Sequence, residues 1–298
     1  MAVSIDHAQA YFDIAHEGAQ IRAVADALPW DQLPIERPRS IVVLAGDELC
    51  LHAARAAVNI SAPWSAPVTI CRELPSYVGP LDVVILLSER GSHDALAQAA
   101  SVCHARSVLS IAAVGEGPLV RDLPASTHII PMLPMHEGPS PLRAVATVLA
   151  VLFRGARTAE SVPKRLLSLA DRVDEELIRC APDHEELNPA KDIAQRSGTP
   201  LHVAADAESK DLVALVAYLW TQAGRASAHL DAALLGLFQQ RQPPVDPFYD
   251  PIEQGPAPIP AAVIRWSVGE LAHAEGDYAT ALCALIARGF AATMYTMT

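Results

Sequence analysis

Five short apolar segments, separated by stretches with helical patterning, constrain the fold of this chain more than any other feature. They span residues 40–45, 67–71, 83–87, 108–113 and 127–130. Short runs of this kind, bounded by Gly and Pro, are typical of strands that are buried on both faces. Because they alternate with helical segments, they predict an α/β fold in which residues 34–155 form a five-stranded parallel sheet flanked by helices.

The segments on either side of this domain are predicted to be helical. Residues 1–33 contain an amphipathic helix at 6–28, and residues 156–185 contain a long connecting helix at 158–180. Both helices carry an apolar stripe that must be covered by another surface. The N-terminus has early acidic residues and no apolar run, so we expect no signal peptide.

Residues 186–298 are predicted to form a second, reduced and more helical domain. Only residues 201–205 have the pattern of a strand, whereas 263–274 is expected to be helical. Residues 243–260 are dense in proline and are expected to form a surface loop.

Composition excludes several classes of protein. The net charge of −12 argues against binding to nucleic acid or to an anionic membrane surface, both of which require a basic face. No apolar run approaches the roughly 20 residues of a spanning helix. The five cysteines are dispersed, which is typical of a reduced, cytoplasmic protein. No zinc-ligand spacing, dinucleotide fingerprint or Walker motif is present, so we expect no metal and no cofactor.

The turn after the third predicted strand is the best candidate for a binding site, because ligands of parallel sheets bind at the carboxyl ends of the strands. It contains two hydroxyls, a guanidinium and free backbone amides at the start of a helix, a combination that suits a phosphate. The candidate residues are Ser88, Arg90, Gly91, Ser92 and His93. The alternative interpretation is that Ser92 merely caps the helix.

The turn after the first strand has the opposite character. Asp47 and Glu48 follow Gly46 at the start of a helix, where their charges favour the helix dipole and would repel a phosphate. We therefore expect this turn to be a structural cap or to bind a neutral or cationic group, and we expect any anion to bind at the third turn.

Several phrases resemble one family in the same order along the chain. They are PRSIVVLAG at 38–46, LPSYVGP at 74–80 followed by DVVI at 82–85, NPAK at 188–191, AYLW at 217–220, and GDY at 276–278 with ARG at 287–289. Together they resemble the bifunctional phosphoglucose/phosphomannose isomerases, which are built from two sugar isomerase (SIS) domains. The resemblance implies two SIS domains, a sugar-phosphate ligand, aldose–ketose isomerisation and a homodimer.

The chain differs from that family at the residues that bind the phosphate and carry out the reaction. The family's glycine-rich GMGGSA turn is replaced by the acidic turn at Asp47 and Glu48, and Arg90 replaces a serine of its SYSGNTEE turn. A gapless continuation of the AYLW helix places Ala226 where the family's NENAK motif has its catalytic glutamate. The histidine of the later LNHNE motif also has no counterpart. A proton transfer between sugar carbons needs a base, which His229 or Glu253 would have to supply.

The sequence leaves three possible functions open. The first is a sugar-phosphate isomerase with rearranged catalytic groups, for which no catalytic residue can be assigned. The second is a non-catalytic protein that senses a sugar phosphate or regulates an enzyme that uses one. The third is a structural subunit that binds no sugar.

Overall fold

Two parallel β-sheets organise the chain. The structure is a computed structural model, and it describes residues 7–35, 37–60, 64–156, 160–184, 187–241 and 260–296. The first sheet has the strand order β2-β1-β3-β4-β5. Its strands are β1 (Ile41–Ala45), β2 (Val68–Cys71), β3 (Val83–Ser88), β4 (Leu109–Val114) and β5 (His128–Ile130). The five-stranded parallel sheet predicted from the apolar runs is thus confirmed, because every neighbouring pair is parallel.

Helices cover both faces of this sheet and continue into the second part of the chain. The α-helices between residues 7 and 156 are α1 (His7–Ala15), α2 (Glu17–Ala27), α3 (Glu48–Asn59), α4 (Asp94–Ala105), α5 (Pro118–Asp122) and α6 (Pro141–Ala156). Those that follow are α7 (Val162–Arg179), α8 (Pro189–Ala194), α9 (Lys210–Gln222), α10 (Ala232–Gln240), α11 (Val268–Glu275) and α12 (Tyr278–Ala291). Side chains of α3, α6, α9 and α12 belong to one continuous apolar core.

The second sheet corrects the prediction of a single strand in the second part of the chain. It has three parallel strands in the order β7-β6-β8: β6 (Thr199–Ala204), β7 (Ala228–Asp231) and β8 (Ala261–Trp266). The helix predicted at 263–274 is therefore wrong in its first part. Burial alternates along β8, as expected for an edge strand, and a new helix begins only after Ser267, whose side chain accepts a hydrogen bond from the Glu270 amide.

The surface loop predicted at 243–260 lies outside the described residues except for Pro260. Within the described residues, the second sheet has three strands and the first has five, which is consistent with a reduced second part. The domain boundaries at 33, 155 and 185 stay predictions.

The predicted N-terminal and connecting helices pack against each other. The helix expected at 6–28 is divided into α1 and α2, and the connecting helix is α7. Ile21 and Val24 of α2 and Leu166 of α7 are buried in the main core. Arg22 also donates hydrogen bonds to the carboxylates of α7 residues. The apolar stripes that we expected to need another surface therefore cover each other within one chain.

Two further findings concern the chain as a whole. Among the described helices, none is long and apolar enough to cross a membrane. All five cysteines are free thiols. Burial raises the pKa of Cys103 to about 11 and that of Cys180 to about 12, so neither thiol is an activated nucleophile.

Candidate functional site

The candidate site lies at the carboxyl edge of the first sheet, where the turns after β1 and β3 are neighbours. The two strands pair in parallel up to Ala45 and Leu87, and the Gly46 amide donates a hydrogen bond of 2.8 Å to the Leu87 carbonyl. Because adjacent parallel strands end at the same edge, residues 46–48 and 88–93 are brought together from distant parts of the sequence.

Asp47 is the residue that connects the two turns. One carboxylate oxygen, Oδ1, accepts a hydrogen bond of 2.9 Å from the Cys50 amide and so caps α3, which confirms the cap expected at this turn. The other oxygen, Oδ2, accepts hydrogen bonds from the Glu89 amide at 2.7 Å and from the Ser88 hydroxyl at 3.3 Å. The carboxylate is thus held by donors from both turns.

Glu48, the second acidic residue of the first turn, is separate from this arrangement. Its side chain is exposed and pairs with the guanidinium of Arg72, which follows β2. Arg72 also donates a hydrogen bond of 3.4 Å to the Ala45 carbonyl at the end of β1. Glu48 therefore has a cation as its partner, whereas Asp47 is held by amide and hydroxyl groups.

Two of the five predicted binding residues have structural partners. Ser88 is fully buried, and its hydroxyl accepts a hydrogen bond from the Arg90 amide in addition to the one it donates to Asp47. His93 caps α4 with Nδ1, which accepts from the Leu96 amide, while Nε2 donates to the Gly46 carbonyl at 3.1 Å. The helix cap is therefore His93, and the alternative role suggested for Ser92 is wrong.

The other three predicted residues remain available at the surface or shape the turn. The side chains of Arg90 and Ser92 are exposed, and neither forms a hydrogen bond or ion pair within the described part of the chain. Gly91 has a steric role, because a Cβ atom there would lie 1.7 Å from the Glu116 carbonyl oxygen in the turn after β4. The five residues share one turn, with only Arg90 and Ser92 offering free side chains.

A buried ion pair connects the turn after β3 to helix α6. The Glu89 carboxylate accepts hydrogen bonds from the Ser140 amide at 2.9 Å and from Arg143 Nη2 at 3.3 Å. Arg143 is buried in α6 and also donates to the Val114 carbonyl at the end of β4. Burial raises the pKa of Glu89, and the positive charge of Arg143 opposes that shift.

A second buried carboxyl group lies at the same end of α6. Glu17 of α2 accepts hydrogen bonds from the Ser140 hydroxyl at 2.7 Å and from the Leu142 amide at 2.8 Å. Burial raises its pKa to about 8, and the nearby charge of Glu89 contributes to the shift. A folded protein at neutral pH therefore holds Glu17 mainly in the protonated form.

Glu17 and Arg143 were not predicted as site residues, although each leaves a signal in the sequence. Glu17 lies four and seven positions before Ile21 and Val24, so it belongs to the apolar stripe of α2. Arg143 is the one charged residue between positions 141 and 153. A charge at a position that periodicity assigns to the core indicates a buried partner.

A tyrosine and a histidine from distant parts of the chain lie close to each other. The ring of His52 in α3 lies 5.8 Å from the ring of Tyr218 in α9. Burial raises the pKa of Tyr218, and the charges of Asp47 and Glu48 raise it further. Burial also lowers the pKa of His52, whose Nδ1 atom is buried without a partner in the described structure. Neither residue was predicted, since nothing in their spacing marks them.

The residues considered as replacements for a catalytic base lie elsewhere. His229 is an exposed residue of β7, paired in register with His202 of β6. Ala226 is in the connection between α9 and β7, and Glu253 lies outside the described residues. Within the described ranges, no three His, Cys, Asp or Glu side chains are grouped so that they could hold a metal ion.

Comparisons with known proteins show similarity at the level of structure. No family model matches the chain, and no curated protein matches its sequence. The C-terminal domain of glucosamine-fructose-6-phosphate aminotransferase from Francisella tularensis has a TM-score of 0.63 at 8% identity, covering 99% of this chain and 97% of that one. Tagatose-6-phosphate ketose/aldose isomerase from Escherichia coli has a TM-score of 0.61 at 13% identity, with coverage of 99% and 95%.

Glucosamine-6-phosphate deaminase from Thermotoga maritima has a TM-score of 0.59 at 11% identity, covering 97% of this chain and 94% of that one. At these identities the similarity establishes the fold alone. The α/β fold expected from the sequence is therefore shared with proteins that cover 97–99% of this chain.

Proposed function

We propose that this protein binds a sugar phosphate at the carboxyl edge of its first sheet, with the phosphate at the turn after β3. The observation that carries the proposal is the exposed guanidinium of Arg90, which is unpaired among the described residues and belongs to a residue four positions before the start of α4. Within the described residues, the amides of Asp94 and Ala95 have no hydrogen-bond acceptor. A helix N-terminus combined with a free guanidinium favours a phosphate.

The names of proteins with the same fold support a ligand of this class. Each of the three structures described above is named for a substrate that is a sugar 6-phosphate. The phosphoglucose/phosphomannose isomerase motifs suggest glucose 6-phosphate or mannose 6-phosphate as the first ligands to test. Both are phosphate monoesters of a hexose, so they would present one anionic group to Arg90 and α4.

We propose that the protein binds a sugar phosphate but does not isomerise it with the catalytic groups of the phosphoglucose/phosphomannose isomerases. A gapless continuation of the AYLW segment places Ala226 at the position of their glutamate, and alanine has no group that can accept a proton. A sensor or regulatory subunit is consistent with a ligand site that lacks this base.

One observation favours retained isomerase activity as a second candidate. The imidazole of His52 has a pKa lowered by burial, so it is neutral at pH 7 and able to accept a proton. Its ring also lies beside that of Tyr218. Exchange of the C2 hydrogen of glucose 6-phosphate with deuterated solvent, measured by NMR, would reveal this activity, and His52→Gln should abolish it.

Binding is tested by isothermal titration calorimetry with glucose 6-phosphate. We expect Arg90→Ala to weaken binding by about tenfold or more, since a charge-assisted hydrogen bond contributes about 1.5–3 kcal/mol. Arg241→Ala, which removes an exposed arginine at the end of α10, is the matched control and should leave affinity unchanged. Equal binding of glucose, or no effect of Arg90→Ala, would contradict the proposal.

The homodimer and the cytoplasmic location also remain proposals. The apolar stripes of α2 and α7 cover each other, so they give no argument for a second subunit. Only the family resemblance supports the dimer. Sedimentation at micromolar concentration provides the test, and a single monomeric species would contradict it.

A further inference from the structure

The Asp47 carboxylate has the surroundings of a bound anion. Its three donors are the Cys50 amide in the first turn of α3, the Glu89 amide and the Ser88 hydroxyl, at 2.9, 2.7 and 3.3 Å. Backbone amides converging from a helix N-terminus and a neighbouring turn, together with a hydroxyl, are a donor set that proteins use for phosphate and sulfate.

No cation shares this carboxylate within the described part of the chain. Arg72 pairs with Glu48, and Arg143 pairs with Glu89. Arg90, the arginine in the turn after β3, has no ion-pair partner among the described residues. The negative charge of Asp47 is therefore balanced by oriented dipoles, as the charge of a bound anion would be.

An ordinary helix cap does not account for all of these contacts. Capping requires one side-chain oxygen, and Oδ1 alone performs it through the Cys50 amide. The second oxygen reaches across to a turn about forty positions later in the sequence, where it satisfies a backbone amide and a buried hydroxyl. Glu48, next in sequence, makes none of these contacts.

We propose that Asp47 is a specificity-determining residue, whose carboxylate permanently occupies an inner anion position between the turns after β1 and β3. This inference rests on the proposed function, in which the ligand's phosphate binds at an outer position formed by Arg90 and α4. A second anionic group of a ligand meets both an occupied donor set and a like charge. The site therefore selects sugar monophosphates over bisphosphates.

The test replaces Asp47 by serine and counts the phosphate sites. In Asp47→Ser the hydroxyl can still cap α3, while the Glu89 amide and the Ser88 hydroxyl lose their acceptor. Calorimetry with inorganic phosphate should give one site per chain for the wild type and two for Asp47→Ser. The variant should also bind fructose 1,6-bisphosphate about tenfold or more tightly than the wild type, because two donors become free and one like charge is removed.

Two further variants separate the inner position from general effects of charge. Glu48→Ser removes the same charge from the adjacent residue but leaves the donors of Asp47 occupied, so it should keep one site. The double variant Asp47→Ser with Arg90→Ala should lose the outer site and retain the inner one. A second phosphate site in Glu48→Ser, or no inner site in the double variant, would overturn the inference.

If Asp47 only connects the two turns and occupies no anion position, different results are expected. A folded Asp47→Ser variant that takes up no additional phosphate would overturn the proposal. If that variant does not fold in phosphate-free buffer, Asp47→Ala is refolded with and without inorganic phosphate. The proposal predicts that phosphate restores its folding and raises its melting temperature more than that of the wild type, and absence of this rescue contradicts it.

The same measurements distinguish this inference from the proposed function. If the wild type binds no hexose monophosphate while Asp47→Ser gains a phosphate site, the inference stands and the proposed function fails. If the wild type binds glucose 6-phosphate through Arg90 and Asp47→Ser gains nothing, the function stands and the inference fails.

Discussion

Arg143 donates a hydrogen bond of 3.3 Å to the carboxylate of Glu89, and this buried pair joins the core helix α6 to the candidate site. The Arg143 side chain is 1% exposed and that of Glu89 is 15% exposed. Replacing Arg143 by Leu should lower the free energy of unfolding by about 3–5 kcal/mol, because Glu89 would remain buried without its counter-charge. Urea denaturation provides the measurement.

The exposed pair of Arg72 and Glu48 at the same edge is the matched comparison. Arg72→Leu should cost about 0–1 kcal/mol, since water screens an exposed pair. Adding Glu89→Gln to Arg143→Leu should recover part of the lost stability by removing the stranded charge. Equal costs for Arg143→Leu and Arg72→Leu would show that the buried pair has no special role.

Glu17 should make the protein less stable as the pH rises. Its pKa is about 8 in the folded chain, against an ordinary value of 4.5, because it is buried. Between these values the folded state retains a proton that the unfolded state has released, so the free energy of unfolding falls as pH increases. The loss between pH 5 and pH 8 should reach about 3 kcal/mol, at 1.4 kcal/mol per unit of pKa shift.

Glu17→Gln tests this assignment because its amide oxygen can accept from the Leu142 amide while its NH2 group donates to the Ser140 hydroxyl, which then acts as an acceptor, as it also would for a protonated carboxyl. The variant and the wild type should be equally stable at pH 5, which controls for the substitution. At pH 8 the variant should be the more stable one. Parallel stability curves from pH 5 to pH 8 would mean that Glu17 does not bind the proton.

His202 should have the opposite effect in acid. It is fully buried in β6, where Nδ1 accepts a hydrogen bond of 3.1 Å from the indole of Trp266, and burial lowers its pKa to about 3. The unfolded chain binds a proton at this histidine below about pH 6.5 and the folded chain does not, so stability is lost as pH falls from 6.5 towards 3.

The measurement compares the wild type with His202→Phe between pH 6.5 and pH 4.5. The variant loses the acceptor of Trp266 at every pH, but its stability should fall less steeply over this window. Trp220 and Trp266 adjoin the ring and supply a fluorescence signal for unfolding. Equal slopes for the two proteins would contradict the role of His202.

The three central strands of the first sheet, β1, β3 and β4, were predictable because they are buried on both faces and leave an almost uninterrupted apolar run. β8 was not, because it is an edge strand with alternating burial, and its alternation runs directly into the helical pattern of α11. The Ala, Val and Ile of Ala261–Trp266 fit either period over so short a length. The continuity of the apolar run therefore decided whether the sequence revealed a strand, since the edge strands β2 and β5 were predicted as well.

The location of the candidate site followed from the order of strands and turns, whereas its contacts did not. Spacing predicts that Ser88 and His93 lie in one turn, but not that each is bonded to the turn after β1. The acidic character of Asp47 indicated a cap, and the second oxygen's contact with Glu89 depends on how β1 and β3 pair. Long-range contacts of this kind are properties of the fold.

Gly91 should tolerate no side chain, and Gly236 offers the matched test. A Cβ atom at Gly91 would lie 1.7 Å from the Glu116 carbonyl oxygen, whereas one at Gly236 in α10 would meet nothing within 4 Å. Gly91→Ala should lower the free energy of unfolding by about 1–3 kcal/mol through overpacking and displace the turn that carries Arg90, weakening sugar-phosphate binding. Gly236→Ala should raise stability by up to about 1 kcal/mol, because alanine favours a helix. Melting curves and calorimetry on both variants provide the measurements, and a Gly91→Ala protein with unchanged stability and affinity would show that the turns after β3 and β4 can separate without consequence.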